Sequence, residues 1–361
     1  VAENLPANNY LLLHGSVQPF AMAVKLGRMQ LGIGWRLPTF TYLSYSNRLA
    51  QLLWYGNGPF VGETLELGPD ALSATYHEAY LHASLPIGDK IRIGGRLKQL
   101  SGIASLQVAE NGFSLYTDPE YYQVEIQTAY QVNLSTNFFL PTNLGDLRNP
   151  QNWQLDNNRG MAFDLGLRYQ FLEKWELGVS LLDVGFINWD AESTVSIRSE
   201  GSFRFEGLPF EFFEGNEDFS LEQLGDSVIQ TFAPDTLYQS FRTTLPRNLL
   251  IGLSWQPLRF VRVGALYREV QVKGERISSV SAHASVFWRD RLMAGLTYTY
   301  QPLFPDQLGL QFTGKLGPLQ VFACSQNVLG AIRFQEAQTA DFRVGVNLVF
   351  GKAYWKKRKK K

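Results

Sequence analysis

The chain has 361 residues, 33 basic and 33 acidic side chains, 14% aromatics, 32 glycines, four methionines and a single cysteine. Length and charge alone would suit a soluble enzyme of two or three domains. The lone Cys324, however, excludes an internal disulfide framework and offers no metal-ligand spacing, and no apolar run approaches the roughly 18 residues of a membrane helix, so any membrane span must be made of strands.

The chain opens on Val1 with no basic, apolar, small-residue leader after it, and the expectation is that a secretion signal has been removed. Residues 1–18 are expected to form a separate N-terminal segment: a hatch, an extra strand or a truncated region. Strands are expected over Ala21–Leu26, Met29–Arg36, Ser73–Ile87, Lys90–Leu100, Ile103–Glu110, Phe113–Val132, Gly160–Leu172 and Trp175–Trp189. They continue over Thr243–Trp255, Phe260–Val272, Ser278–Trp288, Leu292–Tyr300, Gln307–Lys315, Leu319–Gln326 and Phe342–Phe350. A short helix is expected over Ser46–Tyr55, where Leu49, Leu52 and Leu53 share a face before Gly56-Asn57-Gly58-Pro59 stops it. A second is expected over Leu221–Thr231, with Ser220 as N-cap and Gln223 completing a capping box.

The strand signal is strict alternation, because successive side chains of a strand point to opposite faces. Met161, Phe163, Leu165, Leu167, Tyr169 and Phe171 share one face; Ala162, Asp164, Gly166, Arg168 and Gln170 share the other. Phe342, Val344, Val346, Leu348 and Phe350 repeat the pattern against Arg343, Gly345 and Asn347. The apolar face is broad and rimmed by aromatics while the other is small and charged, which is the pattern of a lipid-facing exterior around a polar lumen. The fold class is therefore all-β: a transmembrane antiparallel β-barrel over 19–350 with short helices in its long loops. About 14 strands are expected, with 16 as the alternative, since single-chain barrels normally close on an even number. The count turns on Asn9–Gly15 and on Ile103–Val132, where Asn111-Gly112 signals a tight turn and Asp118-Pro119 a second.

Tight connections at Gly27-Arg28, Gly88-Asp89 and Glu173-Lys174 alternate with long ones at 37–72, 133–159, 190–242 and 327–341. Short turns belong on the periplasmic side and long loops outside, so the end of the barrel at Phe350 is expected to be periplasmic. The insertion 190–242 interleaves acidic residues with Phe203, Phe205, Phe210, Phe212 and Phe213. Aromatics at that density seek a partner or a groove, and the loop is expected to cap the mouth, to touch another protein or to meet an amphipathic ligand. The tail 351–361 joins Tyr354 and Trp355 to a cationic run, Lys356, Lys357 and Arg358 among it, suited to a membrane interface and anionic head groups. Nucleic acid is not expected on that side.

By parity the polar face holds Arg92, Arg96, Lys98, Arg168, Arg262, Arg268, Lys315 and Arg343 against Glu78, Glu125, Asp164 and Glu176. Charges facing one another across a narrow interior pair or stay hydrated, because an isolated buried ion is costly. A salt-bridged, plugged interior is one reading; a cationic lining that attracts acidic solutes is the other. His14, His77, His82 and His283 stand in no HExxH, paired-Cys or GxSxG setting. His82 shares a face with Glu78 and Ser84, but no oxyanion donors accompany them. The glycines of 56–62 lack the Lys-Ser/Thr of a phosphate loop. No enzyme activity, catalytic residue, metal or cofactor is expected.

Four stretches carry a resemblance: Tyr55-Gly56-Asn57-Gly58, Tyr76-His77-Glu78-Ala79-Tyr80, Gly94-Gly95-Arg96-Leu97-Lys98-Gln99-Leu100-Ser101-Gly102 and Asp183-Val184-Gly185-Phe186-Ile187-Asn188-Trp189. They resemble an uncharacterised Bacteroidota outer-membrane family that looks distantly related to the fatty-acid channel FadL and to PorV of the type IX secretion system. The resemblance implies a FadL-like barrel in a Gram-negative outer membrane, contacting its lipids. It also implies one of two functions. The first is a passive channel for hydrophobic or amphipathic small molecules. The second is a non-transporting subunit or docking platform for other outer-membrane or periplasmic proteins. An internal apolar pocket leading to an opening would favour the channel, and a plugged, salt-bridged lumen the platform.

Overall fold

The computed structural model describes residues 6–136, 158–205, 234–289, 291–302, 307–328, 330 and 339–350. Within them eighteen strands form one sheet. They are β1 (Asn8–Leu26), β2 (Met29–Ser46), β3 (Thr64–Glu66), β4 (Asp70–Ile87), β5 (Ile91–Thr117), β6 (Val124–Thr136), β7 (Arg159–Leu172), β8 (Trp175–Trp189) and β9 (Thr194–Phe205). They continue as β10 (Asp235–Leu237), β11 (Phe241–Thr244), β12 (Arg247–Leu258), β13 (Val261–Val272), β14 (Glu275–Trp288), β15 (Leu292–Tyr300), β16 (Gln307–Leu316), β17 (Leu319–Ser325) and β18 (Arg343–Leu348).

The barrel wall runs β1-β2-β4-β5-β7-β8-β12 and then in chain order to β18, every contact antiparallel. That makes thirteen wall strands among the described residues. Their outward side chains are large and apolar: Leu81, Leu97, Met161, Leu165, Val344 and Val346 are each more than half exposed. A continuous apolar belt of this kind is stable only against hydrocarbon, and the architecture is that of an outer-membrane β-barrel. No helix of the described residues is long and apolar enough to cross a membrane.

On the long-loop side the wall forks. The first half of the 27-residue β5 pairs with β7, and its second half continues upward to pair with β6, which pairs with β9. Asn158 holds the fork. It is fully buried, its peptide carbonyl accepts from Gly102 N–H at 2.9 Å, its own N–H donates to Asp190 Oδ2 at 3.0 Å, and its Oδ1 accepts from Asp190 N–H at 2.9 Å and Ser193 Oγ at 2.8 Å. Three wall strands are thus fixed at the point where two of them end.

Several expectations are corrected in this region. Asn111-Gly112 is not a turn: both residues lie in the ladder opposite Tyr130 and Ala129. The chain reverses instead after Asp118, whose Oδ1 accepts the N–H groups of Glu120 and Tyr121 at 2.8 and 2.7 Å. Part of the expected loop 190–242 is strand, because Thr194–Phe205 alternates in register with β6, while 206–233 lie outside the described residues. Of the alternatives for the N-terminal segment, the strand is the one found: residues 8–18 are the first half of β1, paired along β2 and continuous with the expected strand Ala21–Leu26. The expected first helix is present as α1 (Asn47–Tyr55): Ser46 Oγ accepts Leu49 N–H at 3.2 Å, and Gly56 takes the left-handed cap at φ 73°. The second expected helix lies outside the described residues.

Candidate functional site

The inner face of the wall divides into three levels. Nearest the tight turns it is small and polar. Here large inward side chains lie flat across a directly opposed glycine: Tyr80 over Gly34, His82 over Gly32, His283 over Gly264, Gln311 over Gly295 and Phe322 over Gly345. A Cβ added at any of the five glycines would come within 2.5 Å of that side chain. Glycine is needed there for close approach, and the side chains hug the wall instead of crossing the lumen.

The middle level is an ion-pair cluster. Arg36 grips Glu78 through two bonds of 2.7 and 2.6 Å and reaches Asp183 at 3.3 Å. Lys98 lies 2.5 Å from both Asp183 and Asp164, and Arg96 approaches Asp164 at 3.7 Å. Glu78 is 0% exposed and Lys98 4%. Three cations face three carboxylates, so the cluster is neutral, which is the condition under which buried charges are tolerated. Its geometry depends on a bulge: β8 supplies Leu182 and Asp183 where β7 supplies only Asp164. Asp183 sits in the left-handed region at φ 60°, and its N–H donates to Asp164 Oδ1 at 2.8 Å. A non-glycine residue held there costs about 1–3 kcal/mol, which its surroundings must offset.

Above the cluster, toward the long loops, the lumen is filled by an apolar layer. Phe40, Tyr42, Leu72, Tyr76 and Leu100 from one side meet Ile187, Trp189, Leu245 and Val272 from the other. Trp189 is fully buried, its ring against Gly102, stacked on Phe241 with centroids 5.9 Å apart, and its Nε1–H donates to Thr243 Oγ1 at 2.9 Å. The turn between β13 and β14 leans over this layer, where Lys273 Nζ binds the Asp70 carboxylate and the Val108 carbonyl of the opposite wall.

The expected lumen residues fall in different places. Glu78, Arg96, Lys98 and Asp164 form the cluster with Arg36 and Asp183, which parity had not picked out; the bulge breaks alternation at Asp183, and Arg36 ends its expected strand. Arg92 donates to Ser84 at 3.2 Å, Arg168 pairs with Glu176 at 2.7 Å, Arg262 lies 5.5 Å from the Phe287 ring, and Arg268 donates to Asn248 at 2.9 Å. Arg343 opens β18, close enough to Arg268 for their charges to interact. Glu125 stands off the lumen, on β6 beside Arg204. Phe203 and Phe205 are strand residues opposite Ile126 and Val124. Phe210, Phe212, Phe213 and the tail residues Tyr354, Trp355, Lys356, Lys357 and Arg358 lie outside the described residues. Among the described residues no cluster of His, Cys, Asp and Glu could hold a metal ion.

Outside the wall, an apolar trough of about 660 Å³ runs across β1, β2, β4, β5 and β7, lined by Met22, Ile33, Leu81, Leu97, Phe163 and Leu165 around Gly95. A second groove of about 560 Å³ shares Ala83, Gly95 and Leu165 with it.

Fold and site together define an outer-membrane-type barrel whose inward side chains form an ion-pair cluster and a packed apolar layer. The family of unknown function DUF5723 matches residues 1–326, and the chain belongs to it. No curated protein matches. Solved structures that overlap it include the Pseudomonas putida toluene transporter TodX, at 9% identity over 90% of this chain and 85% of that one, with a TM-score of 0.39. The Ralstonia pickettii toluene transporter TbuX overlaps at 10% identity over 90% and 85%, with a TM-score of 0.38. A Pseudomonas aeruginosa FadL homologue overlaps at 10% over 82% and 69%, with a TM-score of 0.36.

Proposed function

We propose that the protein is a non-transporting barrel of the outer membrane, a subunit or docking platform for other outer-membrane or periplasmic proteins. The observation that carries this reading is the double closure of the lumen: a neutral ion-pair cluster backed by a packed apolar layer. The six charges of the cluster pair among themselves and the layer above them is apolar, while two apolar grooves lie outside the wall, against lipid. The test is conductance in planar bilayers. The purified chain is expected to insert without stepwise ion currents, and Trp189→Ala combined with Phe241→Ala to remain folded and begin to conduct. Stepwise currents from the unaltered chain would overturn the reading.

One observation favours a second reading, a FadL-like passive channel for hydrophobic or amphipathic small molecules: the lipid-facing trough around Gly95 lies directly behind the backbone that carries Arg96 and Asp164 into the cluster. Such a channel would exchange its ligand through the side of the wall. Mass spectrometry of the protein extracted in mild detergent separates the two, with a copurifying polypeptide expected for the platform and a stoichiometric apolar ligand, lost in Leu97→Ser, for the channel.

A further inference from the structure

We infer that the apolar trough on the outer wall holds one acyl chain of an anionic glycerophospholipid, seated with its head group at the tight turns of β1–β2 and β4–β5. The site lies on the lipid face of the wall and goes beyond either reading of the lumen.

Shape is the first observation. On β4 the outward side chains Leu81 and Leu85 flank Ala83, and on β5 the outward Leu97 and Ile93 flank Gly95. Ala83 and Gly95 are directly opposed in the ladder, so four large side chains stand around a floor of nearly bare backbone. The 660 Å³ groove on the long-loop side of this floor and the 560 Å³ groove on its tight-turn side share Ala83, Gly95 and Leu165. They make one furrow, running from Met22 and Phe163 down to Met29 beside the β1–β2 turn. Beneath it β2, β4, β5 and β7 are each paired on both sides. The outward side chains that line it are apolar, and its run along the strands suits an extended hydrocarbon chain rather than a helix about 10 Å across.

Charge is the second observation. The three tight turns at the foot of the furrow, with the strand ends beside them, carry Lys25, Arg28, Lys90 and Lys174 against Asp89 and Glu173. Arg28 reaches from the first turn to the second, donating to the Gly88 carbonyl at 2.7 Å and to Asp89 Oδ1 at 3.3 Å, yet its side chain remains 66% exposed. An accessible guanidinium therefore stands next to Met29, at the mouth of the furrow, with the exposed Lys90 on the neighbouring turn. Cations at that level draw anionic head groups. A second copy of this chain is the competing occupant, but two copies side by side in one membrane would bring the same cationic turns together. The phospholipid meets the furrow with hydrocarbon and the turns with phosphate.

The test is native mass spectrometry of the full chain in detergent micelles, titrated with phosphatidylglycerol or phosphatidylcholine of identical acyl chains, folding being checked by heat-modifiable migration on gels. One phosphatidylglycerol is expected to stay bound, half-saturating at about tenfold lower concentration than phosphatidylcholine because of the surplus cations. Arg28→Gln combined with Lys90→Gln is expected to make the two lipids bind equally. Gly95→Leu is expected to abolish binding of both. A Cβ at Gly95 meets only ordinary contacts, 3.4 Å from the Asp164 carbonyl oxygen and 3.7 Å from Leu165 Cδ2, so the larger side chain fills the furrow and leaves the wall in place. A phosphatidylglycerol with a photoreactive acyl chain reads the site in the unaltered protein, with adducts expected on Leu97, Phe163 and Leu165. Equal binding of the two lipids by the unaltered chain, undiminished binding by folded Gly95→Leu, or adducts spread evenly round the belt to Leu296 and Val344 would overturn the inference. Conductance is a separate readout, so failure here leaves the platform reading standing on its own test.

Discussion

Lys98→Met removes the central cation of the lumen cluster at nearly constant volume and leaves two carboxylates to be satisfied by what remains. Asp183 keeps Arg36 at 3.3 Å and Asp164 keeps Arg96 at 3.7 Å. Breaking a buried pair from one side costs about 3–5 kcal/mol, and since both acids retain a second cation the lower end, about 3 kcal/mol, is expected. Asp183→Gly also removes a charge but behaves differently. Lys98 keeps Asp164 at 2.5 Å and Arg36 keeps both bonds to Glu78, while glycine relieves the left-handed strain of about 1–3 kcal/mol. That variant is expected within about 1 kcal/mol of the parent, the lost charge pairing and the relieved strain offsetting each other. Equilibrium guanidinium unfolding from micelles, followed by fluorescence of the eight tryptophans, measures both. Equal losses for the two variants, or a Lys98→Met loss under about 1 kcal/mol, would refute the account of the cluster as mutually compensating charges.

Trp189→Ala is expected to cost about 3–5 kcal/mol in the same assay, through the cavity it leaves and the orphaned Thr243 bond. Gly102→Ala should cost about 1–3 kcal/mol, because the new Cβ would lie 2.4 Å from the Trp189 ring and overpack the layer. At the β5–β6 turn, the backbone N–H groups of Tyr121 and Glu120 hold the Asp118 carboxyl below the usual carboxylate range. A depressed folded value means that the turn is stabilised above the unfolded value of about 3.9 and loses that support as the pH falls through the folded value. Amide exchange at Glu120 and Tyr121 should therefore accelerate in acid, and Asp118→Ala should remove the dependence.

The belt and the polar lumen were legible because a period of two survives wherever one face meets lipid: the alternation over Gly160–Leu172 and Phe342–Phe350 needs no tertiary information. Glu78, Arg96, Lys98 and Asp164 fell on the inner face by the same parity. Asp183 could not, since a single bulge residue inverts the parity of everything after it, and nothing local marks the bulge. Asn111-Gly112 misled for the opposite reason. It carries strong turn chemistry, yet the carbonyl of Asn111 would meet a Cβ at Gly68 at 1.6 Å, so the strand is pinned straight by a crossing segment remote in sequence. The fork escaped notice because Thr194–Phe205 sits inside an acidic, Phe-rich stretch whose composition reads as loop.

The bulge, the fork and the plug are three consequences of one arrangement. Wall side chains can fill a barrel lumen only where opposite walls approach, and here they approach at the long-loop end, where Lys273 ties the β13–β14 turn to Asp70 and Val108. At that level β5 continues upward to β6 while β7 and β8 end, and Asn158 bonds the three edges that the split creates. Just below it, Asp183 must turn inward to meet Lys98, which the bulge at Leu182-Asp183 allows. Toward the tight turns the glycines facing Tyr80, His82 and His283 let large side chains lie flat against the wall, while the packed apolar layer sits toward the long loops.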